Sequence, residues 1–277
     1  MKIDEFIRAA IREDIGDGDY TSEACIPDDA VGRARMLIKE NGILSGTAIA
    51  EQIFFHIDSN LQVKTEIQDG TPVKVGDVVM TISGPVRSIL KGERLALNCV
   101  QRMSGIATLT NRVTKELEGL KTKVLDTRKT TPGIRFLEKM AVKAGGGENH
   151  RFGLYDMMMI KDNHIDYAGS VENAINLCDE YRKSNNLNIK LEVEARNLDE
   201  VAQILAVGKV NRIMLDNFSY ADLRKAIEMI DGKFETEASG NITIETARKY
   251  AECGVDFISM GALTHSVRGL DISLKAF

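Results

Sequence analysis

Arg128 and Lys129 stand side by side in "DTRKTTPG", directly after the apolar-leaning run "TKVL". A fork-shaped guanidinium beside a mobile ammonium, at the end of a short strand, makes a receptor for oxyanions. Other reactive residues also fall where apolar runs stop. Lys161 and Asp162 follow "MMMI", Glu194 sits in "LEVEA", and Asp216 and Asn217 close "MLDN". "EASGN" brings Ser239, Gly240 and Asn241, and "SMGA" brings Gly261 and Ala262. The stretch "KAGGGENHR" adds His150 and Arg151 after three glycines, whose N–H groups can face an anion. Turns of Ser and Gly ahead of helices can seat phosphate. Several cations, two carboxylates and two small-residue turns suit a polyanion that also carries hydroxyls.

Something must bring these residues to one rim. From Lys123 onward, short apolar or β-branched runs alternate with helical segments, expected near Tyr167–Lys183, Leu198–Val207, Tyr220–Ile230 and Thr243–Cys253. This rhythm predicts a parallel sheet covered by helices. Six such strands without a Rossmann glycine fingerprint favour a barrel, whose reactive residues project from the C-terminal strand ends. The first hundred residues differ. A helix over about Ile3–Glu13 precedes a turn-rich stretch. Three half-buried strands then follow, "GRARMLIKE", "LQVKTEI" and "DVVMTISGP", with "TAIAEQIFFHI" as a helix among them. The sum is an α+β domain of about four strands. "GERLALNCVQRMSGIATLTNRVTKEL" reads as one long helical region, bent or broken near Ser104–Gly105. The tail "DISLKAF" reads as a last strand returning to the first domain. The expected division is residues 1–110 with 267–277, and 111–266.

Composition bounds the partners. The 277 residues carry a formal net charge of -5 and a pI near 5.6, which argues against a general nucleic-acid binder. No window approaches the roughly 18 apolar residues of a membrane span. Cys25, Cys99, Cys178 and Cys253 are scattered without a CxxC pair, which predicts reduced thiols in a cytoplasmic protein. His56, His164 and His265 show no triad or metal spacing and read as structural or surface residues.

Each reactive residue also has a plainer reading. Arg128–Lys129 can be a solvated loop end, Lys161 a snorkelling lysine, Glu194 and Asp216 ordinary strand-end acids, and "ASGN" a turn and N-cap. Convergence on one rim is what favours a site. A Schiff-base aldolase with Lys161 as the amine is a second reading. A barrel that only binds phosphorylated ligands is a third.

The chain resembles the quinolinate phosphoribosyltransferases. The resemblance rests on "EDIGDGDYTS", "ERLALNCVQRMSGIAT", "DTRKTTPG", "KAGGGENHRFGLYD", "MIKDNHI", "LEVEA", "MLDNF", "EASGNI" and "ISMGALTHS", in that order over nearly the whole chain. Met140 and Lys143 depart from it, where the family usually has an aromatic residue and an arginine. The resemblance implies an N-terminal α/β sandwich domain plus an open seven-stranded α/β barrel, assembled as a homodimer. It implies transfer of phosphoribosyl from phosphoribosyl pyrophosphate to quinolinate with decarboxylation, and a need for Mg2+. By the same resemblance, Arg128 and Lys129 bind carboxylates and pyrophosphate, with Thr127, His150, Arg151 and Lys161 completing that wall. Lys129, Lys161, Glu194 and Asp216 are the catalytic residues it implies. Glu194 and Asp216 would hold ribose hydroxyls and Mg2+, through substrate or water. Ser239, Gly240, Asn241, Gly261, Ala262 and Leu263 would seat the 5-phosphate, and Arg94 would reach the neighbouring subunit's site. Related phosphoribosyltransferase-like proteins, acting on nicotinate or associated with molybdenum transport, differ at the carboxylate-binding cations.

Overall fold

The computed structural model describes residues 3–277. The chain opens with α1 (Ile3–Ile15), α2 (Tyr20–Cys25), β1 (Val31–Ile38), β2 (Gly42–Ile43), α3 (Thr47–Ile57), β3 (Gln62–Thr65), β4 (Pro72–Val73), β5 (Val78–Pro85) and α4 (Val86–Glu116). It continues through β6 (Lys123–Leu125), α5 (Arg135–Ala144), β7 (Met157–Ile160), α6 (Asp162–Ala168), α7 (Val171–Ser184), β8 (Lys190–Ala195) and α8 (Leu198–Val207). It ends with β9 (Arg212–Asp216), α9 (Tyr220–Ile230), β10 (Glu235–Ser239), α10 (Ile244–Ala251), β11 (Phe257–Ser259), α11 (Ala262–His265) and β12 (Ile272–Ala276). No helix among the described residues is long and apolar enough to cross a membrane. Two units emerge. One takes the chain up to Asn111 with Thr130–Gly146 and Leu263–Phe277; the other takes Arg112–Lys129 and Gly147–Ala262.

The first unit holds an antiparallel sheet in the order β12-β1-β5-β3. Its pattern follows the pleat. Ala34, Met36 and Ile38 of β1 are buried, while Arg33 and Arg35 turn outward and lie over the Phe277 ring. Ile49, Ala50, Ile53 and Phe54 of α3 join this core. The long helix departs from the expectation. It starts six residues before Gly92 and runs unbroken through Ser104–Gly105. Gly105 is there for packing: a Cβ at this position would collide with the Arg268 carbonyl. Ser104 is buried and ties the helix to Ser45 through a donated and an accepted hydrogen bond.

The second unit is a parallel sheet in the order β6-β11-β10-β9-β8-β7. The last strand lies beside the first, as in a barrel, and the seam between β6 and β7 is open. One parallel bridge, Leu125 to Glu148, pairs with β6 there. The six strands read from the residues are therefore present, and the seventh implied by the resemblance is reduced to this single bridge. The α8 and α9 bounds match the expected segments, because each starts at a side-chain cap: Asn197 accepts the Glu200 N–H and Ser219 the Asp222 N–H. The helix expected over Tyr167–Lys183 is instead two. Gly169, at φ 88°, ends α6 and Ser170 caps α7.

Candidate active site

The six parallel strands deliver the expected residues to their C-terminal ends. Beyond β6, Thr127 is half-buried while Arg128 and Lys129 are exposed, and the Lys129 N–H donates to Thr127 Oγ1 at 3.0 Å. Beyond β7, Lys161 donates from Nζ to Glu194 Oε2 at 2.7 Å. Glu194 is 8% exposed and the Lys161 side chain 47%, so this lysine is paired and reaches solvent. It is not the desolvated amine that a Schiff-base aldolase requires. Asp216 ends β9 half-buried, and its Oδ2 accepts from Asn217 Nδ2 at 2.7 Å. Asn217 is held at φ 56° by its N–H, which donates to the Ser239 carbonyl at 2.9 Å.

Ser239, Gly240 and Asn241 form the next loop, with Gly240 at φ 102° and Asn241 at φ 51°. The following helix begins only at Ile244, with Thr243 as its N-cap, so this loop precedes the first turn and does not form it. Gly261 and Ala262 lie at the corresponding end of β11. Arg94, exposed on α4, and Leu263 belong to the first unit. The Leu263 side chain is fully buried, which leaves only its backbone to meet a ligand. Met140 and Lys143, the two departures from the family pattern, are exposed on α5.

His150 and Arg151 follow the bridge at Glu148. Arg151 is half-buried; its Nη1 donates to the Met157 carbonyl at 3.2 Å. Burial and the nearby positive charge of Arg128 both lower the Arg151 pKa. The two guanidinium groups thus feel each other's charge.

His150 is 8% exposed and faces into the barrel. Its backbone N–H donates to Asp126 Oδ1 at 2.8 Å, and its Nδ1 accepts the Arg151 N–H at 2.6 Å. Nε2 lies 3.0 Å from Glu192 Oε2 and 3.3 Å from Glu237 Oε2. Both acids are fully buried, and Arg212 Nη1 reaches Glu237 Oε2 at 3.0 Å. From there the ion pairs run out to solvent: Arg212 to Glu235 at 3.1 Å, and Glu235 to Lys190 at 2.9 Å. The His150, Glu192 and Glu237 ligand atoms lie within 4.8 Å of one another, a spacing that would also suit a metal ion. Arg212 already supplies a positive charge at Glu237.

The cluster shares protons. Burial opposes charge on His150, while the Glu192 and Glu237 carboxylates beside Nε2 push its pKa up. Burial, then the Glu237 charge, pushes Glu192 up to about 7. Against burial, the His150 hydrogen bond and the Arg212 charge hold Glu237 below its ordinary value. The Arg151 N–H seated on Nδ1 makes that nitrogen the acceptor and leaves Nε2 as the protonated ring nitrogen of His150. Glu192 and Glu237 are the residues that reading the sequence missed. The signal was present: in "LEVEA", Glu192 lies two residues before Glu194 and so shares its strand face.

Residues 19–104 match the model of the quinolinate phosphoribosyl transferase N-terminal domain, and residues 106–275 match that of the C-terminal domain. The chain belongs to the quinolinate phosphoribosyltransferase family. It is 48% identical to the nicotinate-nucleotide pyrophosphorylase [carboxylating] of Arabidopsis thaliana, over 97% of this chain and 81% of that one. It is 40% identical to the probable nicotinate-nucleotide pyrophosphorylase [carboxylating] of Bacillus subtilis, over 99% and 93%. The structure of the nicotinate-nucleotide pyrophosphorylase from Francisella tularensis superposes with a TM-score of 0.92 at 38% identity, covering 99% of this chain and 96% of the other.

Proposed function

We propose that this chain transfers the phosphoribosyl group of phosphoribosyl pyrophosphate to quinolinate with loss of carbon dioxide. The products are nicotinate mononucleotide and pyrophosphate, a step of de novo NAD biosynthesis. The observation that supports the reading is the set of strand-end residues: Arg128 and Lys129 follow β6, Lys161 follows β7, Glu194 and Asp216 lie at the ends of β8 and β9, and Arg151 feels the charge of Arg128. The cations receive the carboxylates of quinolinate and the pyrophosphate. Glu194 and Asp216 receive ribose hydroxyls. The loops at Ser239–Asn241 and Gly261–Ala262, with the Leu263 backbone, seat the 5-phosphate.

Loss of pyrophosphate builds positive charge on the ribose carbon, which the Glu194 and Asp216 carboxylates stabilise. Lys129 and Lys161 stabilise the departing oxygens. The guanidinium wall then balances the negative charge left on the ring as carbon dioxide departs.

A divalent ion fits this donor set. Asp216 and Glu194 are hard oxygen ligands on neighbouring strands, and both are already held by a second group, Asn217 and Lys161. Mg2+ bound there, through substrate or water, would neutralise pyrophosphate charge. The reading includes a homodimer in which Arg94 serves the neighbouring subunit's site, and a cytoplasmic setting, which suits four unpaired cysteines.

The test mixes the protein with Mg2+, ring-carboxyl-labelled quinolinate and phosphoribosyl pyrophosphate. Labelled carbon dioxide and the mononucleotide should appear in equal amounts. Folded protein that binds both substrates and releases neither product would overturn the reading.

A further inference from the structure

We infer that Glu192 and Glu237 are positioning residues that clamp His150 from inside the barrel, and that His150 in turn fixes the backbone from which Arg151 projects toward quinolinate. The inference rests on the proposed substrate and goes beyond it, because it gives His150 a task other than substrate contact.

Both ring nitrogens of His150 face partners within the protein. Nδ1 takes the Arg151 N–H at 2.6 Å, and Nε2 stands between the two carboxylates at 3.0 and 3.3 Å. With Nδ1 accepting, Nε2 carries the proton and lies at ion-pair distance from both carboxylates, without an aligned hydrogen bond to either. The ring is held at Nδ1 and flanked by the two acids at Nε2, while Asp126 holds the His150 backbone N–H. Arg151 follows directly in the chain, and its side chain is braced by the Met157 carbonyl and, at 3.5 Å, by Met159 Sδ. Each brace sits on a strand or on the loop beside the open seam, where the ladder supplies only the Leu125–Glu148 bridge. The side-chain clamp does there what sheet hydrogen bonds do elsewhere.

Stability alone gives no reason for such a cluster. Burying two carboxylates and a guanidinium costs desolvation, and well-packed apolar residues of similar volume are commonly as stable or more so. Nε2 of His150 and oxygens of Glu192 and Glu237 reach full burial without completing their hydrogen bonds. What these acids provide is orientation and counter-charge beneath the cationic wall: the Glu192 charge acts on Arg151 as well as on His150. Arg128 and Arg151 can then stay close before any dianion arrives.

The experiment compares Glu192→Leu, Glu192→Gln and Glu237→Gln with the wild type, whose turnover of quinolinate is established first as the control. Steady-state kinetics are read for each substrate separately. Glu192→Leu should raise the quinolinate KM about tenfold or more, with the phosphoribosyl pyrophosphate KM within about twofold of wild type. The Gln variants, which keep an acceptor for Nε2–H, should recover most of the loss. A folded Leu variant with an unchanged quinolinate KM, equal rises in both KM values, or Gln as damaging as Leu would each overturn the inference. A second measurement does not depend on any variant folding. Ring nitrogen shifts of His150 in the wild type should show Nε2 protonated and Nδ1 bare. A proton on Nδ1 would overturn the clamp even if the protein proves active.

Discussion

Gly240 offers a perturbation whose size follows from geometry. It sits at φ 102°, where an L side chain is strained, and a Cβ there would overlap the Asn217 carboxamide and approach the Asn217 backbone nitrogen at 2.9 Å. Asn217 cannot simply withdraw. Its N–H is bound to Ser239 and its Nδ2 to Asp216. The backbone strain of Gly240→Ala costs about 1–3 kcal/mol, and the forced shift of Asn217 adds on the order of 1 kcal/mol. At this chain length, that total lowers Tm by about 5–10 °C. Because Asn217 is attached to Asp216, the shift also reaches the ribose side of the site. The KM for phosphoribosyl pyrophosphate should rise while quinolinate binding, read by calorimetry, holds. A thermal melt and two substrate titrations suffice. An Ala variant with Tm within about 1 °C of wild type and an unchanged phosphoribosyl pyrophosphate KM would refute both the strain and the coupling.

Arg128→Ala should leave the fold intact and remove about 2–4 kcal/mol of binding or transition-state energy, measured as kcat/KM for quinolinate; near-normal turnover sinks its assignment. Asp216→Asn should weaken use of phosphoribosyl pyrophosphate more than binding of quinolinate alone, and complete loss of quinolinate affinity in calorimetry would put Asp216 on the wrong side of the site. Mixing inactive Arg94→Ala and Lys161→Ala proteins should restore up to about one-quarter of wild-type activity on random subunit exchange, and no recovery after proven exchange refutes the shared site. Against partial burial, hydrogen bonds from Lys121 at 2.7 Å and from Thr236 hold the Asp256 carboxyl below its ordinary value. Its stabilisation is therefore present above about pH 4 and lost as pH falls through the lowered value, so Asp256→Asn should flatten the acid limb of Tm against pH; a wild-type slope contradicts this.

Much of the strand framework under this candidate site was legible because strand ends obey a rule. An apolar run that stops at Lys161, Glu194 or Asp216 tells where a parallel strand hands over to its loop, and the barrel turns those ends to one side. The cap residues Asn197 and Ser219 made their helix starts readable for a similar local reason. What stayed hidden was set by distant partners. Gly105 looks like a helix breaker until the Arg268 carbonyl is found against it. Gly169–Ser170 passes for helix interior because one turn on either side keeps the apolar spacing. The inward turn of His150 depends on Glu192 and Glu237, 42 and 87 positions further along, and no periodicity links them.

The pairing of β12 with β1 carries a consequence for synthesis. Ile272 must meet Ile38 and Ala276 must meet Ala34, so the sheet of the first unit joins residues made more than 230 positions apart. Until residues 272–276 leave the ribosome, β1 has an unpaired edge rich in Met, Leu and Ile, the kind of edge that invites pairing with another chain. The nascent chain has to wait with that edge open, and a ribosome that stalls or stops short of Ile272 releases a product with no partner for it. Elongation speed between β1 and β12, and whatever shields the nascent strand meanwhile, thereby become determinants of yield that the finished molecule no longer displays.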